Sequence, residues 1–410
     1  MRIAIVTQYY PPDPPSWIPA GLAHGLRDRG HEVKVLTTYP HYATGRIAPG
    51  YRQRWRDIRV EDGIAVRRVP IVPSHSSNAL GRIANYMSFA WTSRLARSFV
   101  ADCDVAYVYA TPMTVAEGPR AWSKSLDLPF VLHVQDLWPE SVTGSGILPK
   151  QMVHVVQRCI NWWLARVYRR AAVTVAIAPR MRTMLEARGV HPTRSRVVLN
   201  WSNDADHLVP DIRARDTQGG LSLLYAGNLG QMQDVGTIIE AVATLDHLEN
   251  LVLRVAGSGV QEAEIRALAA GLGAVRVEFL GRLSAAQVAG EYARADFQLV
   301  TLKNLDIFEG TLPSKFAAGL AHGVPVITNI AGDMSDMVMA AHLGFTAGPG
   351  GVQALAAAIE TAYRTSYQDR QQMSANARAY YDQHMSKSAG VAAIEEALIE
   401  AVAANRKERV

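Results

Sequence analysis

Residues 221–230 read Leu221-Ser-Leu-Leu-Tyr-Ala-Gly-Asn-Leu-Gly230, a mainly apolar run of strand length followed by a turn that contains two glycines. A polar, glycine-containing stretch, residues 211–220, precedes this run, and a second series of strand and helix patterns follows it. We therefore predict two domains, residues 1–200 and residues 201–385. The amphipathic segment at about residues 386–410 is a candidate to pack back on the first domain.

Outward from this strand, short apolar and β-branched runs alternate with helical patterns, and the first helix is predicted to end at Gly30 in a left-handed cap. Near-continuous apolar strands are typical of parallel sheets covered on both faces. The predicted class is α/β, with two doubly wound Rossmann-like domains that bind ligands in a cleft at the carboxyl ends of their strands. The predicted strands are residues 2–6, 32–38, 64–69, 105–109, 130–134, 173–178, 221–226, 251–256, 275–280, 297–301 and 325–328.

Composition excludes several classes of protein. The 410 residues carry 42 Lys and Arg against 37 Asp and Glu, a net charge of +5 that suits an anionic ligand or membrane surface without requiring nucleic acid. Cys103 and Cys159 lie far apart with no zinc-type cluster, which favours a reducing cytosol. The opening residues are interpreted as a strand and not a signal peptide. No run of 18 apolar residues occurs, so any membrane contact is predicted to be peripheral.

The segment Phe308-Glu-Gly-Thr-Leu-Pro-Ser-Lys315 opens a predicted helix at residues 313–322. Thr311 is predicted to be its N-cap and Pro313 to lie in its first turn, so that unpaired N–H groups and the helix dipole form an anion pocket. Ser314 would add a hydroxyl and Lys315 a cation. The alternative is a structural helix whose lysine is solvated.

Two turns with glycines follow strands of the second half. Ala226-Gly-Asn-Leu-Gly-Gln231 and Gly257-Ser-Gly259 would let the backbone approach a phosphate closely. The second turn matches half of a dinucleotide fingerprint, but Glu262 stands at the third glycine position. The loop after the first strand, residues 10–17, carries prolines instead of glycines. A Rossmann oxidoreductase is therefore disfavoured.

Titratable side chains follow the predicted strand at residues 130–134. His133, Asp136 and Glu140 lie within eight residues of one another, together with Trp138. At the carboxyl edge of a sheet they are expected to face the cleft, where they could transfer protons. The alternative is a structural histidine.

No metal site is predicted. The triplets Asp102-Cys-Asp104 and Asp204-Ala-Asp206 could hold Mg²⁺ in principle. We interpret both as surface acids, because the first precedes a strand and the second lies in the predicted linker.

Residues 158–170 combine four arginines with bulky apolar side chains at helical spacing. A membrane-interface helix with aromatic and cationic anchors would have this composition. A core helix with its basic edge in water would have it too, and its position between two predicted strands slightly favours that alternative.

Several motifs in fixed order carry a family resemblance over essentially the whole chain. They are Ile5-Val-Thr-Gln-Tyr-Tyr-Pro-Pro12, Arg29-Gly-His-Glu-Val-Lys-Val-Leu-Thr37, His133-Val-Gln-Asp-Leu-Trp-Pro-Glu-Ser141, Val198-Leu-Asn-Trp201, Tyr225-Ala-Gly-Asn-Leu-Gly230, Val255-Ala-Gly-Ser-Gly259, Phe279-Leu-Gly-Arg282, and Leu312-Pro-Ser-Lys315 before Gly323-Val-Pro-Val-Ile327. With them the chain resembles family 4 glycosyltransferases of the GT-B fold, most closely the branch of O-antigen, colanic-acid and capsule biosynthesis.

The resemblance implies transfer of a sugar from a UDP- or GDP-sugar to a hydroxyl of a glycan, lipid-linked or small-molecule acceptor. It implies retention of configuration, no metal and no cofactor, with the donor on the second domain. No nucleic acid partner is expected. The expected location is the cytoplasm, with the inner face of the membrane as a candidate place of work.

Carried over by position, the resemblance assigns three groups of residues. The implied catalytic residues are His133, Asp136, Glu309 and Lys315. The implied donor-binding residues are Gly227, Asn228, Gly230, Gly257, Gly259, Arg282, Leu283, Gly310, Thr311, Leu312 and Ser314. The implied acceptor-side residues are Pro15, Ser16, Trp17 and Trp138. A departing diphosphate needs positioned N–H groups and cations, and Lys315 supplies one of them.

The chain departs from the family pattern at three places. Gly310 and Ala318 stand where members commonly carry two glutamates, Asn228 and Gln233 where many carry Arg and Lys, and residues 14–16 where paired glycines are frequent. Two other functions therefore stay open at this point. One is a catalytically silent nucleotide-sugar-binding relative or scaffold, and the other is a GT-B nucleotide-sugar epimerase.

Overall fold

The computed structural model describes residues 1–42, 44–74, 79–139, 150–202, 220–272, 276–348 and 350–407. The chain forms two compact units, Met1–Leu199 with Lys387–Val410 and Asn200–Ser386. Each unit is built on one largely or wholly parallel sheet with helices between its strands. The predicted α/β class with two doubly wound domains is confirmed.

The sheet of the first unit has eight strands. They are β1 Arg2–Thr7, β2 Glu32–Thr38, β3 Asp57–Glu61, β4 Ile64–Val69, β5 Val105–Ala110, β6 Phe130–Val134, β7 Val173–Ala176 and β8 Ser195–Val197. Their spatial order is β3-β4-β2-β1-β5-β6-β7-β8, with only β3 and β4 antiparallel among these strands. The chain reverses its direction of progress between β1 and β5, which makes the carboxyl ends of these strands the place where such sheets bind ligands.

Helices lie between these strands in the part of the chain that the structure describes. They are α1 Trp17–Asp28, α2 Ala79–Arg94, α3 Arg97–Val100, α4 Glu117–Ser125, α5 Lys150–Arg170 and α6 Pro179–Ala187. In α1, Ile18, Leu22 and Leu26 recur every four residues and are buried, as the sequence pattern predicts. Gly30 follows α1 with φ +87°, so the predicted left-handed cap is confirmed.

The sheet of the second unit has six parallel strands. They are β9 Leu221–Ala226, β10 Leu251–Ala256, β11 Val277–Gly281, β12 Phe297–Val300, β13 Val326–Thr328 and β14 Gly344–Thr346, in the order β11-β10-β9-β12-β13-β14. From β9 the chain adds strands first in one direction along the sheet and then, from β12, in the other, so the switch point lies between β9 and β12. The helices are α7 Val235–Ala243, α8 Glu262–Gly271, α9 Ala285–Arg294, α10 Ser314–Ala321, α11 Asp333–Ala340, α12 Gly351–Arg364 and α13 Tyr367–Tyr380.

The last helix, α14 Lys387–Lys407, returns to the first unit and packs on α1 and on β5 to β7. Val391 approaches α1 so closely that a Cβ added to Gly25 would lie 2.6 Å from its Cγ2. Glu395 of α14 pairs with Arg29 at 2.6 Å, just beyond the end of α1. A close apolar contact and an ion pair thus fix this helix.

Three strands, β3, β8 and β14, are absent from the sequence prediction. β3 is an edge strand whose Ile58 and Val60 side chains are more than half exposed, so it lacks the signature of a buried strand. β8 and β14 have three residues each, too few to show a period. Among the described residues, no helix is long and apolar enough to span a membrane.

Candidate functional site

The turn after β9 lies at the switch point of the second sheet and is tied to two neighbouring strands. Thr301, just after β12, donates its hydroxyl to the carbonyl of Gln233 at 2.7 Å. Asn329, just after β13, accepts from the N–H of Leu302 at 3.1 Å and donates to the carboxylate of Asp234 at 3.2 Å. These bonds hold the turn at the sheet edge where ligands are expected.

Lys315 lies against Tyr225, the fifth residue of β9. Its Nζ is 4.2 Å from the centroid of the tyrosine ring and donates to the tyrosine hydroxyl at 3.0 Å. That hydroxyl in turn donates to the carbonyl of Asn228 at 2.7 Å. Burial lowers the pKa of Lys315 to about 8 and raises the pKa of Tyr225 above its usual value. The cation is thus held in place by an aromatic face and one hydrogen bond.

The amine of Lys315 also borders the turn that begins at Gly227. A Cβ added to Gly227 would lie 3.5 Å from both Cε and Nζ of Lys315. The turn at Gly227 and the start of α10, both of which the family resemblance assigns to the donor, therefore lie side by side. Tyr225 joins them, and sequence reasoning missed it as a site residue because an aromatic side chain in a strand usually belongs to the core.

The glycines of the two turns permit backbone to pack on backbone. A Cβ added to Gly257, at φ +146°, would lie 1.8 Å from the carbonyl oxygen of Gly227, and one added to Gly259 would lie 2.3 Å from that of Leu229. Gly230 has the same constraint from side chains, since its Cβ would lie 2.6 Å from Asn228 Nδ2. The contact of turn on turn accounts for these glycines within the structure itself.

Arg282 and Leu283 follow β11 beside the second turn. The N–H of Gly257 donates to the carbonyl of Gly281 at 2.8 Å, which places Arg282 one residue from this contact. Arg282 is exposed. Leu283 is partly buried against a small cluster that includes Leu224. Of the two, Arg282 is the more exposed.

The helix that carries Lys315 begins one residue later than predicted. α10 starts at Ser314, with Pro313 in the N-cap position at ψ 142° and no side-chain cap on this described segment. The N–H of Thr311 donates to the carbonyl of Phe308 at 2.9 Å, so Thr311 belongs to the preceding turn. The prediction of Thr311 as N-cap is therefore wrong. The N–H of Phe316 donates to the carbonyl of Pro313 at 2.9 Å, which leaves the N–H groups of Ser314 and Lys315 for other partners, as an anion pocket requires.

The neighbouring residues of this turn are fixed through the backbone. Glu309 accepts from the N–H of Asp333 at 2.8 Å, and a Cβ added to Gly332 would lie 2.1 Å from the Glu309 carbonyl oxygen. Gly310 is buried, Leu312 is half-buried and Ser314 is exposed. Ala318, at the place of the missing second glutamate, packs partly buried against the cluster around Leu224.

His133 lies inside the first sheet. It is 0% exposed, and its Nδ1 is 2.5 Å from the hydroxyl of Tyr107 on β5. The ring of Tyr109 packs edge-on at 6.1 Å. Burial lowers the pKa of His133 to about 3, so it is neutral at physiological pH. The side chain of His133 is thus enclosed by protein one residue before β6 ends at Val134, the end that the sequence predicts.

Asp136 and Trp138 follow β6. Asp136 is exposed on one side, and desolvation by the surrounding protein raises its pKa above the usual value. Trp138 is 8% exposed, with its ring 6.1 Å from that of Tyr86 on α2. Its carbonyl accepts from Arg188 at 2.7 Å. Glu140 lies outside the described residues.

The predicted acceptor-side loop forms a short turn before α1. Pro15 lies in the 3-10 turn Pro14–Ser16, and Ser16 donates its hydroxyl to the carbonyl of Asp13 at 2.5 Å. The carboxylate of Asp13 accepts from the N–H of His41 at 3.1 Å. Trp17 opens α1, and its Nε1 is buried without a hydrogen-bond partner in the part of the chain that the structure describes.

A buried polar network next to this loop was not predicted. Gln8, just after β1, donates its side-chain amide to Asn85 at 2.7 Å. The Asn85 amide lies 3.0 Å from Nε2 of His41. All three side chains are at most 2% exposed. The position of Gln8 directly after an apolar strand is the one signal that could have indicated it.

The described residues contain no group of three or more His, Cys, Asp or Glu side chains suited to a metal ion. Asp102 pairs with Lys34 at 2.6 Å, and Asp104 accepts from the backbone N–H of Arg2 at 2.7 Å. The second triplet, Asp204 to Asp206, lies outside the described residues.

Comparisons with known proteins agree with this architecture. The family model "Glycosyl transferase 4-like domain" matches residues 16–201, and "Glycosyl transferases group 1" matches residues 215–380. WcaI of Escherichia coli strain K12, named for colanic acid biosynthesis glycosyl transfer, is 27% identical over 315 residues, which are 73% of this chain and 75% of its own. WbjE of Pseudomonas aeruginosa, named as a glycosyltransferase, is 23% identical over 244 residues, 58% of this chain and 60% of its own.

Solved structures show the same fold. HepE of Anabaena, in complex with UDP and glucose, aligns with a TM-score of 0.66 at 18% identity and covers 97% of this chain and 99% of its own. WaaG, a glycosyltransferase involved in lipopolysaccharide biosynthesis, aligns with a TM-score of 0.62 at 18% identity and the same coverage. The chain belongs to the family 4 glycosyltransferases and has their GT-B fold.

Proposed function

We propose that the protein is a retaining glycosyltransferase that moves a sugar from a UDP- or GDP-sugar to a hydroxyl of a glycan, lipid-linked or small-molecule acceptor. The observation that carries this proposal is the position of Lys315. It is a partly buried cation at a helix start without a side-chain cap, 3.5 Å from where a Gly227 side chain would begin. HepE, which has the same fold, holds UDP and glucose.

The chemistry needs charge stabilisation and no covalent nucleophile. As the bond to the sugar breaks, negative charge grows on the diphosphate, and the Lys315 amine and the first N–H groups of α10 can stabilise it by donating hydrogen bonds. A bound diphosphate would also raise the pKa of Lys315, because an anion offsets the desolvation of the cation. Of the two proposed residues on the first unit, Asp136 is the one that reaches the surface and could contact the reacting sugar.

The proposal includes no metal or cofactor, keeps Glu309 among the catalytic residues and assigns Arg282 to donor binding. Glu309 lies in the turn that leads to Lys315, and Arg282 is the exposed residue beside the Gly257 turn. We also propose that the enzyme works on the cytoplasmic side of a membrane.

A panel of UDP- and GDP-sugars tests this function. Ligand binding raises the unfolding temperature by mass action, and mass spectrometry follows the products. We expect one donor to stabilise the protein and to be hydrolysed slowly or transferred. Binding without transfer or hydrolysis would indicate a silent relative. An isomerised donor in the absence of acceptor would indicate an epimerase.

A further inference from the structure

Arg67 in β4 is a buried cation that has no counter-ion within the described part of the chain. The residue is 9% exposed. Its Nη2 donates to the carbonyl of Trp55 at 3.3 Å, whereas its Nε is buried without a hydrogen-bond partner among the described residues. Burial lowers the pKa of Arg67, and the nearby Arg56 guanidinium lowers it further. A charge held in this way is unfavourable unless an opposite charge pairs with it.

The next residue of β4 shows how the fold treats a paired arginine. Arg68 is 1% exposed, and its guanidinium pairs with Glu61 of β3 at 2.6 Å and donates to the carbonyl of Pro11 at 2.7 Å. Successive side chains of a strand point to opposite faces of the sheet. Arg67 therefore faces the other side, where its direct partner on β3 is Ile58. β3 thus supplies a carboxylate on the side of Arg68 and an apolar side chain on the side of Arg67.

Arg67 lines an open cavity of about 490 Å³ on this face of the first sheet. The cavity lies over β2, β3 and β4, and residues at the end of α3 and just after it form its other wall. The lining side chains that matter here are Lys34, Arg56, Ile58, Arg67, Phe99 and Asp102. Small-molecule sites in proteins usually have volumes of roughly 300–1,000 Å³, so the cavity has room for an organic ligand.

One of the three cations in the cavity is already neutralised. Lys34 donates to both carboxylate oxygens of Asp102, at 2.8 Å and 2.6 Å, and this hydrogen bonding lowers the pKa of Asp102. Lys34 Nζ and the Arg67 guanidinium lie 5.8 Å and 5.9 Å from the centroid of the Phe99 ring. The ring stabilises both cations but cannot neutralise either of them. Among the described residues, Arg67 and the exposed Arg56 therefore keep uncompensated positive charge.

Two guanidinium groups in one cavity match a phosphate monoester. Such a group carries a charge of about −1.5 to −2 at pH 7 and three strong acceptor oxygens, and arginine binds it through two parallel hydrogen bonds. A carboxylate would neutralise only one of the two arginines. Ile58, which is 55% exposed, offers apolar surface to the organic part of an ester. Phe99 is 9% exposed, so it provides no open platform on which a nucleobase could stack.

We propose that this cavity is a second ligand site of the protein and that it binds a small sugar phosphate. Arg67 and Arg56 would hold the phosphate group, and Ile58 would contact the sugar. The cavity lies on a face of the sheet, with Lys34 in the first half of β2 and Asp102 before β5. The proposed transfer site lies instead at the carboxyl ends of strands. The second site therefore does not depend on the proposed transferase function.

Isothermal titration of the full chain with glucose 6-phosphate, at low salt and about pH 7.5, tests this site. We expect binding that weakens in high salt and that is tighter than the binding of inorganic phosphate or glucuronate. Arg67→Met should weaken it by a factor of about ten to a hundred, because a charge-assisted contact is lost. Arg56→Gln should weaken it roughly two- to fivefold, since this side chain is exposed. Asp102→Asn should tighten it, because Lys34 is then available to the phosphate.

The matched control is Arg59→Gln. Arg59 is an exposed arginine of β3 that lies one residue from Ile58 and therefore on the opposite face of the sheet, so its replacement should leave binding unchanged. Lys315→Met, on the second unit, should also retain glucose 6-phosphate. Thermal unfolding without ligand shows whether each variant is folded. Arg67→Met should unfold at a higher temperature than the parent, since an unpaired buried charge is removed. If Arg67→Met does not fold, Arg56→Gln and Asp102→Asn, at exposed positions, still test the site.

Three results would overturn the proposal. The first is equal affinity for glucose 6-phosphate in the parent, Arg56→Gln and Asp102→Asn. The second is binding that survives Arg67→Met and disappears in Lys315→Met, which would assign the phosphate to the donor site. The third is affinity of the parent for inorganic phosphate or glucuronate equal to its affinity for glucose 6-phosphate. None of these measurements uses sugar transfer, so their failure and a failure of the proposed function are separate.

Discussion

Replacing Lys315 by Met should weaken donor binding and at the same time stabilise the ligand-free protein. The side chain has similar length without charge. A fall of the lysine pKa from 10.5 to about 8 corresponds to at most roughly 3 kcal/mol of unfavourable free energy for holding the charged amine in the fold. Each kcal/mol changes the unfolding temperature by roughly 2–4 °C in a domain of this size. Thermal unfolding without ligand should therefore show a higher midpoint for Lys315→Met.

The contribution of Lys315 to the free energy of unfolding changes with pH in a defined direction. Between about pH 8 and 10.5 the folded lysine has lost its proton while the unfolded lysine keeps it, so the unfolded state binds more protons. The free energy of unfolding of the parent should therefore gain a rising contribution with pH across this window. Lys315→Met lacks this group, and the difference in stability between the two proteins should shrink towards pH 10.5.

The same substitution, Lys315→Met, should weaken the binding of UDP. Loss of a charge-assisted hydrogen bond to a diphosphate costs roughly 1.5–3 kcal/mol, a factor of about ten to a hundred in Kd. Isothermal titration at pH 7 should show this loss, and Lys315→Arg should recover part of it. Unchanged UDP affinity in Lys315→Met would remove this residue from the site. An unchanged profile of stability against pH would show that the amine is not desolvated.

Two further predictions concern glycine packing and the buried histidine. Gly257→Ala should lower the free energy of unfolding by about 2 kcal/mol or more, because its Cβ would lie 1.8 Å from the carbonyl oxygen of Gly227. The control is Gly271→Ala, whose Cβ would meet nothing within 4 Å and which should be neutral or stabilising. Thermal unfolding of the two variants tests the difference. By NMR the His133 ring should show no protonation above about pH 4. Its contribution to the free energy of unfolding should be lost as the pH falls from 6.5 towards 3, since in this range only the unfolded state binds the proton. Titration of His133 near pH 6.5 would contradict its burial.

Sequence patterns predicted the centre of each sheet well, because the central strands are short runs of mainly apolar side chains. β5 and β6 are buried along their whole length, and no alternation is needed to recognise them. The same feature explains the burial of His133. In a strand covered on both faces a polar residue points into protein whichever way it faces, so its position near the strand end did not indicate access to solvent.

The donor-side geometry was predictable only in part. Gly227 follows a predicted strand and Lys315 lies at a predicted helix start. In a parallel sheet such positions lie at the same edge, so the sequence could predict that these two residues share that edge. The contact of Lys315 with Tyr225 joins residues 90 positions apart and depends on side-chain packing, so no local pattern contains it. Thr311 was assigned as a cap by composition, but its N–H already serves the turn that begins at Phe308.

The return of α14 to the first unit affects how the chain folds during its synthesis on the ribosome. The second unit is, topologically, an insertion between the eighth strand of the first unit and its last helix. Domains usually fold as units in the order of synthesis. Here Gly25 packs against Val391, so the amino-terminal domain is the first whose synthesis begins and the last whose residues are complete. Its apolar face on α1 stays uncovered while all of the second domain is made.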